Sequence, residues 1–202
     1  MNPGVRPADP ADAAAIARVQ VETSRAAYRD VLAPPLLSEL TYASRETVWA
    51  ELLGRHDQWV LVADAGGVAG FVHAGKNLGP VDRYTSEIYA LYVAVEWQGK
   101  GVGTMLFGAA VERLLREGHR SLCLETLRAG PARPFYDRLG GAVLGSTATM
   151  RDGHPVEKVT YGWVDLDRAV EMCRALVHAH RMRRNLDATD VPASDRLPRG
   201  RS

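Results

Sequence analysis

The chain has 202 residues, room for one ordinary α/β domain with a tail and enough to bury a core of its own. At 46% hydrophobic, 24% charged and 7% aromatic residues it sits on the averages for soluble globular proteins, which excludes a wholly disordered, collagen-like or disulfide-scaffold chain. Lys and Arg total 25 against 24 acidic residues, and a formal net charge of +1 gives no electrostatic case for nucleic acid or an anionic membrane as the main partner.

The first ten residues lack the basic stretch and apolar run of a signal peptide, and no window approaches ~20 consecutive apolar residues. A cytoplasmic protein without a membrane span is therefore expected. Asp9-Pro10-Ala11-Asp12 reads as N-cap, first-turn proline and first-turn acid, and Ile16, Val19 and Thr23 follow on one face of an Ala-rich helix ending near Tyr28. Pro34-Pro35 breaks that pattern. Leu36, Leu37 and Leu40 make a short helical piece, and Ser44 can cap another helix carrying Val48, Trp49, Leu52 and Leu53. From Gln58 the texture changes: Trp59 to Ala63, the turn Asp64-Ala65-Gly66-Gly67, and Val68 to His73 read as an antiparallel hairpin. A loop rich in Gly, Pro and Asp precedes a third strand from Glu87 to Val95, and Gln98-Gly99-Lys100-Gly101-Val102-Gly103 runs straight into a helix to about Glu117.

Gly118 is a natural C-cap, and Ser121 to Glu125 follows as a strand; strand, helix, strand at this spacing implies a parallel crossover. A short helix from Ala132 to Leu139, a Gly140-Gly141 stop, and two strand-like runs around Ala142 to Met150 and Glu157 to Val164 complete the pattern, with Asp152-Gly153 between the last two. The domain is expected to span 1–164, a further helix 165–186, and a disordered tail 187–202, where Asp, Pro, Ser and Arg lack periodicity.

The strongest local signal for chemistry is the strand, glycine-rich turn and helix that begins at Glu87. Glycines at a helix N-terminus let backbone N–H groups close on a phosphate while the helix dipole favours its charge. A Walker P-loop needs Gly-Lys-Ser/Thr after four intervening residues, and the dinucleotide fingerprint needs a third glycine where Thr104 stands, so neither fits. The spacing is Gln-x-x-Gly-x-Gly, and the alternative is a tight helix entry with no ligand.

At this turn the sequence resembles the GCN5-related N-acetyltransferases, whose Gln/Arg-x-x-Gly-x-Gly/Ala segment grips the pyrophosphate of acetyl-CoA. Glu87-Ile88-Tyr89-Ala90-Leu91-Tyr92-Val93 is similar to the family's fourth strand, Pro134-Phe135-Tyr136-Asp137-Arg138-Leu139-Gly140 to its Phe-Tyr-x-x-Leu-Gly segment, and Val5-Arg6-Pro7-Ala8 to its opening. The resemblance covers about 5–164 in the right order. It implies a mixed, mostly antiparallel twisted sheet flanked by helices, with a splayed central strand pair. It also implies that Val93 and Val95 offer backbone groups to the pantetheine arm, the Val93 N–H polarising the thioester carbonyl, while Gln98, Gly99, Lys100, Gly101, Val102, Gly103 and Thr104 surround the pyrophosphate.

Amine acetylation needs a neutral amine and a proton for the departing thiolate. Glu87, eleven residues before Gln98, stands where the histone-acetylating branch has its general base, and Tyr136 matches the family tyrosine whose hydroxyl meets the coenzyme sulfur. The alternatives are a solvent-facing strand-end carboxylate and an aromatic that packs its helix on the sheet, as a solvated loop lysine is for Lys100. The family's asparagine before this last helix is absent, since Gly130-Pro131-Ala132-Arg133 occupies the stretch; Arg133 is the candidate to compensate. Cys123, mid-strand, and Cys173, outside the domain, lie at no motif position for an acetyl-enzyme, and neither has metal-ligand spacing. His73 is a lesser candidate for acceptor contact, His154 a turn residue, and His178 and His180, with Arg181, Arg183 and Arg184, a solvated helix surface.

The expectation is an acetyl-CoA-dependent N-acetyltransferase acting on an amine acceptor by direct attack in a ternary complex, without a metal. Its rival is a non-catalytic acyl-CoA-binding or sensing module. The acceptor would be held by segments near 28–44, 76–85 and 151–156, and the oligomeric state is open, a homodimer included.

Overall fold

The computed structural model describes residues 3–55, 58–79, 81 and 83–189, with side chains to Arg183. Its strands are β1 (Gly4–Pro7), β2 (Gln58–Asp64), β3 (Val68–Lys76), β4 (Ser86–Val93), β5 (Leu122–Leu127), β6 (Ala142–Arg151) and β7 (His154–Trp163). Among the described residues they form one sheet in the order β1-β2-β3-β4-β5-β7-β6, antiparallel except for β4 beside β5. This is the expected mixed, mostly antiparallel sheet. The β2–β3 hairpin follows the predicted turn, and Asp152-Gly153, both at positive φ (48° and 77°), close the β6–β7 hairpin in the conformation that suits strand twist. His154 is the first residue of β7 and not of the turn. Arg6 pins the edge strand β1: its guanidinium binds Asp64 at the end of β2 (2.8 Å) and Asp12 (2.7 Å).

Among the described residues the α-helices that cover the sheet are α1 (Ala13–Tyr28), α2 (Pro34–Ser38), α3 (Tyr42–Leu53), α4 (Val102–Arg116), α5 (Arg133–Arg138) and α6 (Leu166–Thr189). The cap of α3 is Thr41, whose Oγ1 accepts from the Ser44 N–H at 3.1 Å, so Ser44 sits inside the first turn and not at the cap. One face of the sheet buries Val60, Val62 and Phe71 against Ile16 of α1 and Trp49 of α3. The other buries Val72, Ile88 and Leu124 against Leu106, Phe107, Ala110 and Leu114 of α4. Leu166, Ala169, Val170 and Cys173 of α6 belong to this second core, so Cys173 is a core residue. α6 runs to Thr189, three residues past the expected 186; 190–202 lie outside the described residues.

β4 ends at Val93, not Val95. Its apolar pattern continues, but Ala94 turns the chain into a short 3-10 helix, Val95–Trp97, with the Trp97 N–H on the Ala94 carbonyl at 2.8 Å. Periodicity alone does not separate these two outcomes for a short apolar run.

Candidate active site

β4 and β5 pair only through Ser86, Glu87 and Ile88, opposite Leu122, Cys123 and Leu124. Beyond Ile88 the strands part, because β5 stays with β7 as far as Leu127 while β4 keeps only β3. A cavity of about 440 Å³ opens in the gap. Its floor is Leu91, Tyr92 and Val93; Thr23 and Tyr28 of α1 close one side, and Phe135, Tyr136 and Leu139 close another.

The backbone of β4 presents its polar groups to this gap. Ala94 donates to Ala69 on β3 at 3.0 Å, and antiparallel alternation then turns the neighbouring Val93, and Leu91 two residues earlier, toward the unpaired side. The Val93 carbonyl is taken by the Thr23 hydroxyl (3.2 Å) and the Gln98 amide (3.0 Å). That leaves the Val93 N–H facing the cavity. Val95 sits in the 3-10 turn, 52% exposed and off the cavity wall.

Gln98, Gly99, Gly101, Gly103 and Thr104 line the mouth of the cavity. Gly101 is the N-cap of α4 at φ 83°, a conformation that costs other residues strain, and no side chain caps the helix. Met105 donates to the Gly101 carbonyl at 3.1 Å, so the Val102, Gly103 and Thr104 N–H groups are first-turn donors without an intrahelical partner. A Cβ on Gly103 would stand 3.3 Å from the Phe135 ring. A turn of this form fits a pyrophosphate: first-turn donors are free, the dipole is favourable and no side chain caps the helix. Lys100 lies outside the cavity wall, its ammonium 5.2 Å from the Trp97 ring centroid, and Val102 is buried in the core.

Tyr136 is buried at the inner end of the cavity between Phe135, Tyr161 and Trp163, with ring centroids 5.2, 5.6 and 6.3 Å away. Burial, with Tyr28, Tyr92 and Tyr161 nearby, pushes its hydroxyl well above the usual tyrosine range. Burial does the same to Tyr28, next to Tyr92. Both phenols stay protonated. Arg133 points away from the cavity toward Tyr161 and Asp137, a pair joined at 2.8 Å, and Arg138 lines the cavity in its place. With Pro131 and Ala132 where the family asparagine would stand, α5 starts without a side-chain cap.

Glu87 occupies the still-paired end of β4, between Gly75 and Cys123, and does not line the cavity. Its carboxylate accepts from the Leu78 N–H at 3.3 Å; partial burial raises its pKa above the usual value. His73 is buried on β3 between the Trp49 and Tyr89 rings, bonded to Gln58 at 2.9 Å. Burial, helped by the Arg55 charge, lowers its pKa to about 4. Burial raises the two thiols, Cys123 to about 11 and Cys173 to about 12, so neither is a thiolate near neutral pH. Among the described residues no cluster of His, Cys, Asp and Glu could hold a metal ion, and no helix is long and apolar enough to cross a membrane.

Two groups of cavity residues were not expected from the sequence. Tyr28, the end of α1 and the start of the 28–44 segment expected at the acceptor, instead lines this cavity together with Thr23, a polar group on the buried face of the same helix. His180 and Arg183, expected on a solvated helix surface, line the cavity with Leu176. The signal is helical spacing: His180 stands four residues beyond Leu176 and seven beyond Cys173, on one face of α6.

The family model described as the acetyltransferase (GNAT) family matches residues 25–141. The uncharacterized N-acetyltransferase YuaI of Bacillus subtilis (strain 168) is 29% identical over 164 residues, 80% of this chain and 93% of that protein. Among solved structures, the GCN5-related N-acetyltransferase from Rhodopseudomonas palustris aligns with a TM-score of 0.66 at 24% identity, over 81% of this chain and 96% of its own. YncA from Salmonella typhimurium, solved with its cofactor acetyl-CoA, aligns with a TM-score of 0.58 at 25% identity, over 83% and 95%.

Proposed function

Because this chain belongs to the GNAT family of acetyltransferases, we propose that it transfers the acetyl group of acetyl-CoA to the primary amine of a small molecule or a peptide, by direct attack in a ternary complex. The observation that carries this reading is the unpaired half of β4, where the Val93 N–H faces a cavity that the glycine turn of α4 closes at its mouth. An extended pantetheine arm adds to such an edge as a strand does. Its diphosphate then meets the free donors of Val102, Gly103 and Thr104.

The amine nitrogen attacks the thioester carbonyl, the carbonyl oxygen gains charge toward the Val93 N–H, and the C–S bond breaks as the amide forms. The amine proton leaves to Glu87, which stands beyond the cavity wall and acts through water. Tyr136 donates a hydrogen bond to the departing sulfur. Its pKa lies above that of an alkyl thiol, near 8.5, so the phenol steadies the thiolate without surrendering its proton outright. The buried, protonated cysteines support direct attack over an acetyl-enzyme.

Release of free coenzyme A from acetyl-CoA, followed against a panel of amines and peptides, tests the proposal. Amine-dependent release with an acetylated product is expected. Tight acetyl-CoA binding without turnover on any acceptor would make the chain an acyl-CoA sensor instead.

A further inference from the structure

α6 lies antiparallel along α4. Gly108 faces Cys173, whose Cβ is 3.1 Å from where a Cβ on Gly108 would stand; seven residues back along α4 and seven on along α6, Gly101 faces the His180 ring at the same 3.1 Å. Arg174 and Glu112 tie the two helices at 2.9 Å. The pairing brings the end of α6 over the start of α4. Leu176, His180 and Arg183, three to four residues apart on one face, therefore form the outer wall of the cavity beside the glycine turn.

His180 is incomplete where it stands. Its Nε2 is buried and has no hydrogen-bond partner among the described residues, although its ring lies against Gly101. A buried ring nitrogen without a partner is destabilising, and the open side here is the cavity. Resting on the coenzyme reading above, we infer that α6 is part of the coenzyme site: His180 donates from Nε2 to a phosphate oxygen at the glycine turn, and Arg183 adds a cation to the same rim. The helix then serves as a phosphate clamp supplied from outside the strand-turn-helix unit.

The test uses the full chain and two ligands, acetyl-CoA and the phosphate-free thioester S-acetylpantetheine, whose affinities are read by calorimetry and by competition. His180→Phe keeps an aromatic ring against Gly101 and removes the N–H; His180→Gln restores a donor. His180→Phe is expected to weaken acetyl-CoA about 10-fold, with S-acetylpantetheine unchanged and with most of the loss recovered in His180→Gln. Equal weakening of both ligands would reduce His180 to packing, and tighter acetyl-CoA binding would make α6 an obstruction; either overturns the inference. If Gly101→Asp abolishes acetyl-CoA binding while His180→Phe leaves it intact, the coenzyme reading stands and the inference alone falls. If the unaltered chain fails to bind acetyl-CoA, both fall.

Discussion

The phenol of Tyr136 keeps its proton because ionising it among Phe135, Tyr161 and Trp163 would strand a charge in apolar surroundings. Tyr136→Phe removes the hydroxyl and leaves the packing. Its kcat should fall about 10²-fold under conditions where chemistry is rate-limiting, with acetyl-CoA affinity nearly unchanged by calorimetry; a wild-type kcat would make the residue structural. For Glu87, the Gln variant should lose kcat/KM near neutral pH and progressively less as pH rises and free amine becomes abundant. A pH-independent loss would assign the carboxylate to holding the Leu78 loop, its present hydrogen-bond partner. His73 tests burial through stability. Its folded-state pKa of about 4 lies below the unfolded value of 6.5, so the unfolded chain binds the extra proton between these values and stability drops as pH falls through that window. Denaturant midpoints measured from pH 7 to pH 4 should show wild type losing on the order of 2–3 kcal/mol more than His73→Gln across that range.

At the scale of elements, the site is the consequence of one strand changing partners. β5 follows β7 over six residue pairs and β4 follows β3, so the parallel pair can last only from Ser86 to Ile88. What would be a continuous ladder becomes a gap with the Val93 N–H pointing into it. The glycine turn then places the N-terminus of α4 at the mouth of that gap, with Gln98 fastening the turn to the end of β4 through the Val93 carbonyl. Gly101→Asp puts both a Cβ and a negative charge at a left-handed N-cap facing the His180 ring. Acetyl-CoA affinity should fall by at least about 10²-fold while far-UV circular dichroism stays that of the wild type; unchanged affinity would remove the diphosphate from this turn.

For the whole molecule, the question is where the folding unit ends. Leu166, Ala169, Val170 and Cys173 are each no more than 5% exposed and pack with Leu114 and Phe107 in one cluster. A chain ending at Val164 would uncover that face. At roughly 1.5–3 kcal/mol for each large aliphatic side chain returned to water, the loss is on the order of 5 kcal/mol, comparable with the whole stability of many domains. Such a chain should lose its cooperative thermal transition or aggregate. A cooperative transition at the wild-type Tm would show that residues up to 164 fold alone.

The elements that short-range rules govern were readable one after another: the Asp9-Pro10 start, which caps a 3-10 turn (Pro10–Asp12) that runs into α1, the Asp64-to-Gly67 hairpin, the Gly118 stop and the strand-helix-strand crossover. The same local chemistry made Gln98 to Thr104 the candidate phosphate turn, and the family resemblance implied the mixed, mostly antiparallel sheet that the strands form. What the sequence could not express was adjacency between distant segments. Tyr28 reaches the cavity because α1 crosses β4, Arg133 leaves it because α5 turns that side chain toward Tyr161, and His180 enters it because α6 returns antiparallel along α4. Period and composition set which face of a helix is apolar, but the choice of what that face meets belongs to tertiary packing, where burial of a whole cluster outweighs the preference of any one residue.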